Sequence, residues 1–403
     1  MLLIILALFL VSSLLIWQFV GYPLVMGLFA LRARPRKKNY AFTPFVSIIV
    51  PAYNEATVIG RRIENLLSLE YPSDRYEILV AESGSTDGTD EIVESAIAQR
   101  GNRPPELRLL RETERHGKAS AINLGKRHAR GEIVLVTDAN AVFEPDVLRE
   151  MMPHFEDPKV GAVGGRYLVS NPDNVYSASE SFYWDLEYIM RRGEAAVDSA
   201  CLFHGEINAW RKHLATADVR NLSEDLDTVI QIRRAGYRIE YEPQARVYEP
   251  AATSAQDQIT QRKRTTTGTL QCIFKHLGYF LLPRDLYSLL IFPSHKGLTM
   301  LSPFLLLAIP VLYLAARDPR VVLAHLALTG LVFGLLLAAL LALWPRLVSH
   351  EASDPRGGIR SLGRIAYYVL LNEYLVFLAW IDFFSGRHTV LWERAESTRE
   401  PVA

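Results

Sequence analysis

Two short acidic clusters in the middle of the chain combine residue types and spacings that can do chemistry. The first is Thr137-Asp138-Ala139-Asn140, which follows the apolar run Ile133 to Val136. Asp138 and Asn140 stand two apart at the end of a predicted strand, so both direct oxygen atoms into one crevice. Oxygen ligands of this kind suit Mg2+ or Mn2+, which complete their shells with diphosphate oxygens and water. The second cluster, Ser223-Glu224-Asp225-Leu226-Asp227, precedes a helix predicted over Thr228 to Ala235 and closed by Gly236. Acids at a helix start are favoured by the dipole whatever else they do. As chemistry, one of these carboxylates is a general base that removes a proton from an attacking hydroxyl.

Positive charge is placed to match. Gly117-Lys118 opens a helix and offers a point charge for phosphate. In Gln261-Arg262-Lys263-Arg264, Gln261 and Arg264 fall three apart on one helical face, where they can grip a diphosphate; the alternative is a basic flank on anionic lipid. Two polar loops complete the set: Pro51-Ala52-Tyr53-Asn54-Glu55, and Glu82-Ser83-Gly84-Ser85-Thr86-Asp87-Gly88-Thr89. Each leads into a helix, so its backbone N–H groups can face an anionic or polar ligand; taken alone, each is equally a turn and a cap.

These clusters must be positioned by elements that hold them on one rim. Val46 to Val50, Tyr76 to Val80 and Ile133 to Val136 are apolar without alternation, as strands buried on both faces of a parallel sheet are. Helical patterns over Ala56 to Leu69, Asp90 to Arg100 and Ala119 to His128 separate them. The alternation predicts an α/β domain with a doubly wound, Rossmann-like sheet over residues 42–269, whose ligands lie beyond the carboxyl ends of the strands.

Apolar segments flank that domain. Residues 1–31 carry almost no charge and are long enough to span a bilayer, which takes roughly 20 apolar residues. Arg32, Arg34, Arg36, Lys37 and Lys38 follow, which marks a signal anchor with the domain on the cytoplasmic side rather than a cleaved leader. Residues 298–316 and 321–344 form a predicted membrane hairpin around Arg317-Asp318-Pro319-Arg320. Its following loop holds Arg346, Arg356, Arg360 and Arg364. Residues 365–384 contain Asn372, Glu373 and Asp382 and are either a span lining a polar path or an interfacial segment. Residues 270–297 read as amphipathic interfacial helices, and 385–403 as a tail. The predicted setting is a multi-pass protein of a bacterial inner membrane.

With 44 basic and 44 acidic residues the net charge is zero. No global basic field argues for a nucleic-acid partner. Two distant cysteines, Cys201 and Cys272, exclude a disulfide framework and are expected to be packed thiols.

The order of these motifs resembles the inverting, membrane-bound family-two glycosyltransferases of GT-A fold, the group of the cellulose, hyaluronan and poly-N-acetylglucosamine synthases. The resemblance runs from about Pro44 to Gly268. It implies that Pro51, Ala52, Tyr53 and Glu55, with Glu82 and Ser83, hold the nucleoside of a donor, a UDP-sugar by this resemblance. Asp138 opens the D-x-D metal motif, Asp225 is the catalytic base, and Gln261 to Gly268 corresponds to Q-x-x-R-W-x-x-G. Phe203-His204-Gly205 resembles the acceptor-side loop, with Glu224 and Thr265 on the same side and Arg211 in the usual basic place. The resemblance implies a β-linked glycan or glycolipid product for an envelope or extracellular polysaccharide. Its partners would be a glycan or lipid-linked acceptor, the lipid bilayer, and homo-oligomeric or secretion partners. Three departures stand out: Ser83 and Asn140 replace aspartates, and Thr265 replaces the tryptophan that stacks on an acceptor sugar. They leave room for a second reading, a decayed enzyme serving as a membrane scaffold.

Overall fold

The structure is a computed structural model, described over residues 1–33, 36–171, 175–250, 254–348 and 358–386. Arg34, Arg356 and the tail from residue 387 lie outside the described residues. The chain divides into two compact units, one of Pro35–Trp184 with Leu202–Cys272, the other of Met1–Arg34, Asp185–Cys201 and Ile273–Gly386.

The first unit is built on eight strands: β1 Val46–Ala52, β2 Tyr76–Ser83, β3 Glu106–Glu112, β4 Ile133–Val136, β5 Val142–Phe143, β6 Val160–Val169, β7 Asn208–Arg211 and β8 Arg238–Glu249. They form one sheet in the order β3-β2-β1-β4-β7-β6-β8-β5. The first four are mutually parallel, with Ile48 opposite both Ile78 and Leu135. Every residue of β1, β2 and β4 is buried, which is why their sequences run apolar without alternation. Beyond β4 the sheet becomes mixed, because β7 runs antiparallel to both β4 and β6 while β8 runs parallel to β6. The sequence shows β1, β2 and β4 of the parallel half plainly. It does not show β3, which is only partly buried, or β5 to β8.

Helices cover all three segments predicted between the strands; the first is shorter at both ends, and the other two each begin one residue earlier. In chain order after the N-terminal helix α1 (Leu2–Arg32), α2 spans Ile59–Leu67, α3 Thr89–Arg100 and α4 Lys118–His128. They are followed by α5 (Val147–Met151), α6 (Val175–Val197), α7 (Glu224–Arg234) and α8 (Ala255–Lys275). Helix α7 begins four residues before the predicted Thr228. Glu224, Asp225 and Asp227 are therefore its first turn, where acidic side chains face the positive end of the helix dipole.

The second unit is helical. Among the described residues, three helices are long and apolar enough to cross a membrane: α1, α9 (Tyr287–Ala316) and α10 (Pro319–Leu347). Helix α9 starts before the predicted span, so part of the segment expected to be interfacial is continuous with it. Leu307, Val311, Leu314, Leu323, Leu331 and Leu335 are exposed on α9 and α10, as side chains meeting lipid would be. Helix α11 (Gly358–Ser385) covers the 365–384 segment. Its Glu373 is buried and accepts from Ser302 Oγ at 2.7 Å, the protein-facing placement that an acid in an apolar run needs.

Buried polar groups knit this unit. His325 on α10 meets Ser12 Oγ of α1 at 3.2 Å and Tyr313 Oη of α9 at 2.8 Å, one through each ring nitrogen. Elsewhere His295 lies between two carboxylates, Glu194 at 2.6 Å and Glu187 at 3.1 Å. Glu187 also receives Lys296 at 3.0 Å and Arg191 at 2.8 Å, and Glu194 accepts from Tyr22 Oη at 2.7 Å and from the Cys201 amide at 2.8 Å. Burial would raise the Glu187 carboxyl, but Lys296, His295 and Arg191 hold it well below the usual carboxylate range. Glu194, Cys201 and His295 have ligand atoms within 4.8 Å of one another; the carboxylate and imidazole are already engaged in ion pairs, so the group serves as a buried charge network. Gly193 lets α6 approach α1, since a Cβ there would collide with the Met26 carbonyl oxygen. Cys201 and Cys272 are buried and form no disulfide, as expected.

Candidate active site

Strands β1, β2 and β4 end together; the loops after β1 and β2 line one pocket, and Asp138 after β4 meets that pocket's Lys118. Pro51, Ala52 and Tyr53 from the β1 end line its first pocket with Ser83, Arg115, Gly117, Lys118 and Ala121. The Arg115 guanidinium lies 3.8 Å from the Tyr53 ring centroid, a cation–π contact that gives the pocket a flat, cationic wall. Ser83 Oγ donates to Glu112 Oε2 at 2.6 Å, and Ser120 Oγ donates to Glu112 Oε1 at 2.5 Å. The acidic group at this pocket's edge thus comes from β3.

Not every loop residue faces the pocket. Glu82 is buried and folds back to accept the Ser85 amide, which makes it a brace of its own turn. Glu55 is fully buried, and its carbonyl oxygen receives the Val58 and Ile59 amides where α2 begins.

Lys118 is the hinge of the cleft. Its ammonium lies 2.6 Å from Asp138 Oδ1 and 3.5 Å from Glu224 Oε1, and a Cβ on Gly205 would stand 3.2 Å from it. Burial lowers a lysine, but here the charges of Asp138, Glu224 and Glu206 outweigh it and hold Lys118 above its usual value. Glu206 is raised well above the carboxylate range by burial and by the charges of Glu249 and Asp138. Asp138 is buried behind Arg62, whose guanidinium lies 4.1 Å from the Phe143 ring centroid and donates to Thr137 Oγ1 at 2.5 Å.

The second pocket adjoins Lys118 and is lined by Gly205, Asn208, Trp210, Glu224, Asp225 and Thr228, among others. Asp225 Oδ1 accepts from Ser223 Oγ at 3.1 Å and from the Leu226 amide at 2.8 Å. Burial and the neighbouring Glu224 charge raise the Asp225 carboxyl above its usual value. A carboxylate oriented through one oxygen and raised toward neutrality has the properties of a proton acceptor.

Helix α8 packs on the loop that carries Asp225. Leu222 N donates to Gln271 Oε1 at 2.9 Å, Asn221 Nδ2 lies 3.1 Å from Cys272 Sγ, and a Cβ on Gly268 would fall 2.6 Å from Ser223 N. Gln261 and Arg264 lie farther back on α8 and line neither pocket. Thr265 Oγ1 bonds back to the Gln261 carbonyl at 3.0 Å and offers no ring face. The His204 ring sits between aromatic neighbours, 4.6 Å from Trp184 and 5.3 Å from Tyr167 by centroids. Arg211 is spent on the Phe155 and Val160 carbonyls, at 2.8 and 2.9 Å, and so braces β7.

Asn140 sits beside Asp138 and is buried; its Nδ2 donates to Glu249 Oε1 at 2.5 Å. Its Oδ1 is buried with no hydrogen-bond partner among the described residues. An orphaned amide oxygen next to a carboxylate fits a hard cation such as Mg2+ or Mn2+. The residues that sequence reading missed are Arg62, Glu112, Arg115, Glu206 and Glu249. Arg115, two residues before Gly117, and Glu206, next to Gly205, lie close to a motif, and the other three do not.

The chain is also similar to known proteins. The glycosyl transferase family 2 profile matches residues 47–214, and that of glycosyl transferase family group 2 matches residues 133–381. A β-monoglucosyldiacylglycerol synthase of Nostoc is 30% identical over 274 residues, covering 65% of this chain and 57% of its own length. A poly-β-1,6-N-acetyl-D-glucosamine synthase of Staphylococcus aureus is 25% identical over 249 residues, covering 60% and 57%. The chain therefore spans less than two-thirds of these relatives. A mannosyltransferase of Pyrobaculum calidifontis, solved with GDP-mannose and Mn2+, superposes with a TM-score of 0.66 at 25% identity, over 94% of this chain and 100% of its own. With the group profile covering well over half of its length and the shared sheet beneath it, this chain belongs to the family-two glycosyltransferases.

Proposed function

We propose that the protein transfers a sugar from a nucleotide-sugar, a UDP-sugar by its sequence resemblance, to a hydroxyl acceptor at the membrane with inversion to a β-linkage. The observation that carries this reading is Lys118, which touches Asp138 on one side and Glu224, the neighbour of Asp225, on the other. Phosphate-binding charge and proton acceptor therefore share one cleft. The nucleoside lies in the pocket of Pro51, Ala52, Tyr53 and Ser83, against the Arg115–Tyr53 wall. Asp138 and Asn140 would hold a divalent cation, which when bound would supply Lewis-acid neutralisation of the diphosphate. Lys118 stabilises the charge that grows on the departing nucleoside diphosphate. Asp225 takes the acceptor's proton as its oxygen attacks the anomeric carbon, and Gly205 with Glu224 borders the acceptor.

The acceptor that best fits is a lipid hydroxyl, taken once per turnover. Thr265 supplies no aromatic platform for holding a growing glycan, three helices suit a membrane setting, and a 30%-identical relative is named for a glycolipid product. A polymer would need ring faces to grip its chain. Incubating the detergent-solubilised protein with a panel of nucleotide-sugars, Mg2+ or Mn2+ and diacylglycerol should release nucleoside diphosphate and yield a single-sugar lipid. An elongated glycan would refute the single transfer, and absence of turnover with every donor would favour the scaffold reading.

A further inference from the structure

Position 140 carries an amide where an aspartate would give a cation a certain ligand. An amide has two faces: its oxygen accepts or ligates, and its NH2 only donates. Which face meets the cation is decided by whatever holds the other one. Asn140 Nδ2 lies 2.5 Å from Glu249 Oε1, and both residues are at least nine-tenths buried. The contact pairs the amide's donor nitrogen with a carboxylate oxygen, which turns the amide oxygen the other way. The oxygen is left buried without a hydrogen-bond partner, on a residue two along the chain from Asp138. Glu249 is itself fixed: it ends β8 in register with Val169 of β6, and its carbonyl oxygen takes the Ser170 amide at 3.0 Å. Buried Arg62 lies close enough to feel the charges of both Asp138 and Glu249, which keeps a counter-charge near the pair.

We propose that Glu249 is a positioning residue that locks the Asn140 amide with its oxygen toward the cation. It also supplies, one layer back, the negative charge that an aspartate at position 140 would have carried directly. The assignment rests on Asp138 and Asn140 being the cation site, and the test separates the two claims.

The measurement is Mn2+ binding to the full-length chain in detergent, read from the free-Mn2+ electron paramagnetic resonance signal with UDP or GDP present. Glu249→Gln keeps size and shape but can offer Asn140 either an oxygen or an NH2, so the amide is no longer oriented. Mn2+ affinity should fall by ~10- to 100-fold, the usual effect of losing such a supporting hydrogen bond. The double variant N140D/E249Q restores a one-sided arrangement, because the introduced glutamine can donate to the introduced carboxylate; its affinity should return to within a few-fold of the parent. Asp138→Ala should abolish binding. Unchanged affinity in Glu249→Gln beside a dead Asp138→Ala variant would overturn the positioning role and leave the cation site standing. A loss in Glu249→Gln that the double variant does not recover would also overturn it, since a purely structural role predicts no rescue. Unchanged affinity in Asp138→Ala would remove the cation site itself.

Discussion

Asp225 concentrates what single residues decide here. Its carboxyl is raised by burial and by Glu224, and the proposed role as proton acceptor requires it ionised. The acid limb of kcat/KM should therefore lie above the ordinary carboxylate range. Glu224→Gln removes a like charge and should move that limb to lower pH, which a pH–rate profile will read. Asp225→Asn should lose ~10²–10⁴-fold in rate. It should also melt later than the parent at neutral pH, because a carboxyl raised in the folded state costs stability once the pH exceeds its unfolded value. Calorimetry of the purified variant checks this. Asp138, Lys118 and Asp225 were legible from sequence, since each sits at an element's end with a type suited to one task. Glu112, Arg115 and Glu249 were not. Glu112 and Glu249 reach their partners through strand pairing, and no local pattern announces which acid a distant strand will deliver.

Among the elements, strand ends and helix starts fix the chemistry. The parallel strands could be read from unbroken apolar runs, and their loops placed the cleft. The antiparallel β7 was hidden because Asn208 and Arg211 bracket only two apolar residues, whereas the equally short β4 is apolar throughout. The predicted start of α7 came late because its first turn is acidic, and a search for apolar periodicity skips such a turn. The meeting of α8 with the Ser223 loop depends on Gly268. A methyl there would meet backbone at 2.6 Å, an obstacle that cannot rotate away. Gly268→Ala should cost ~1–3 kcal/mol as an overpacked contact and lower kcat more than donor KM, because it displaces Asp225 and leaves the nucleoside pocket alone. Steady-state kinetics beside a melting curve will separate the two effects.

For the molecule entire, the division into greasy ends and a charged middle was evident in composition, and the three long apolar helices follow it. The charge network inside the helical unit was not foreseeable, since Glu187, Glu194 and His295 are separated by up to 108 residues. Removing one member leaves its partners as buried, unmatched charges. Glu187→Ala should destabilise that unit by ~3–5 kcal/mol. Because Glu187 is held below the usual carboxylate range, its contribution is present at neutral pH and fades as the pH drops through its folded value. Thermal scans in detergent across pH will show the dependence in the parent and not in the variant. His325 works on a smaller scale: His325→Leu should cost ~0.6–1.7 kcal/mol by stranding two hydroxyls. Ser12, Tyr313 and His325 emerge from synthesis in that order, and hydrocarbon offers the first two no substitute partner. Until residue 325 has been made, neither hydroxyl can reach the imidazole that joins them in the folded protein.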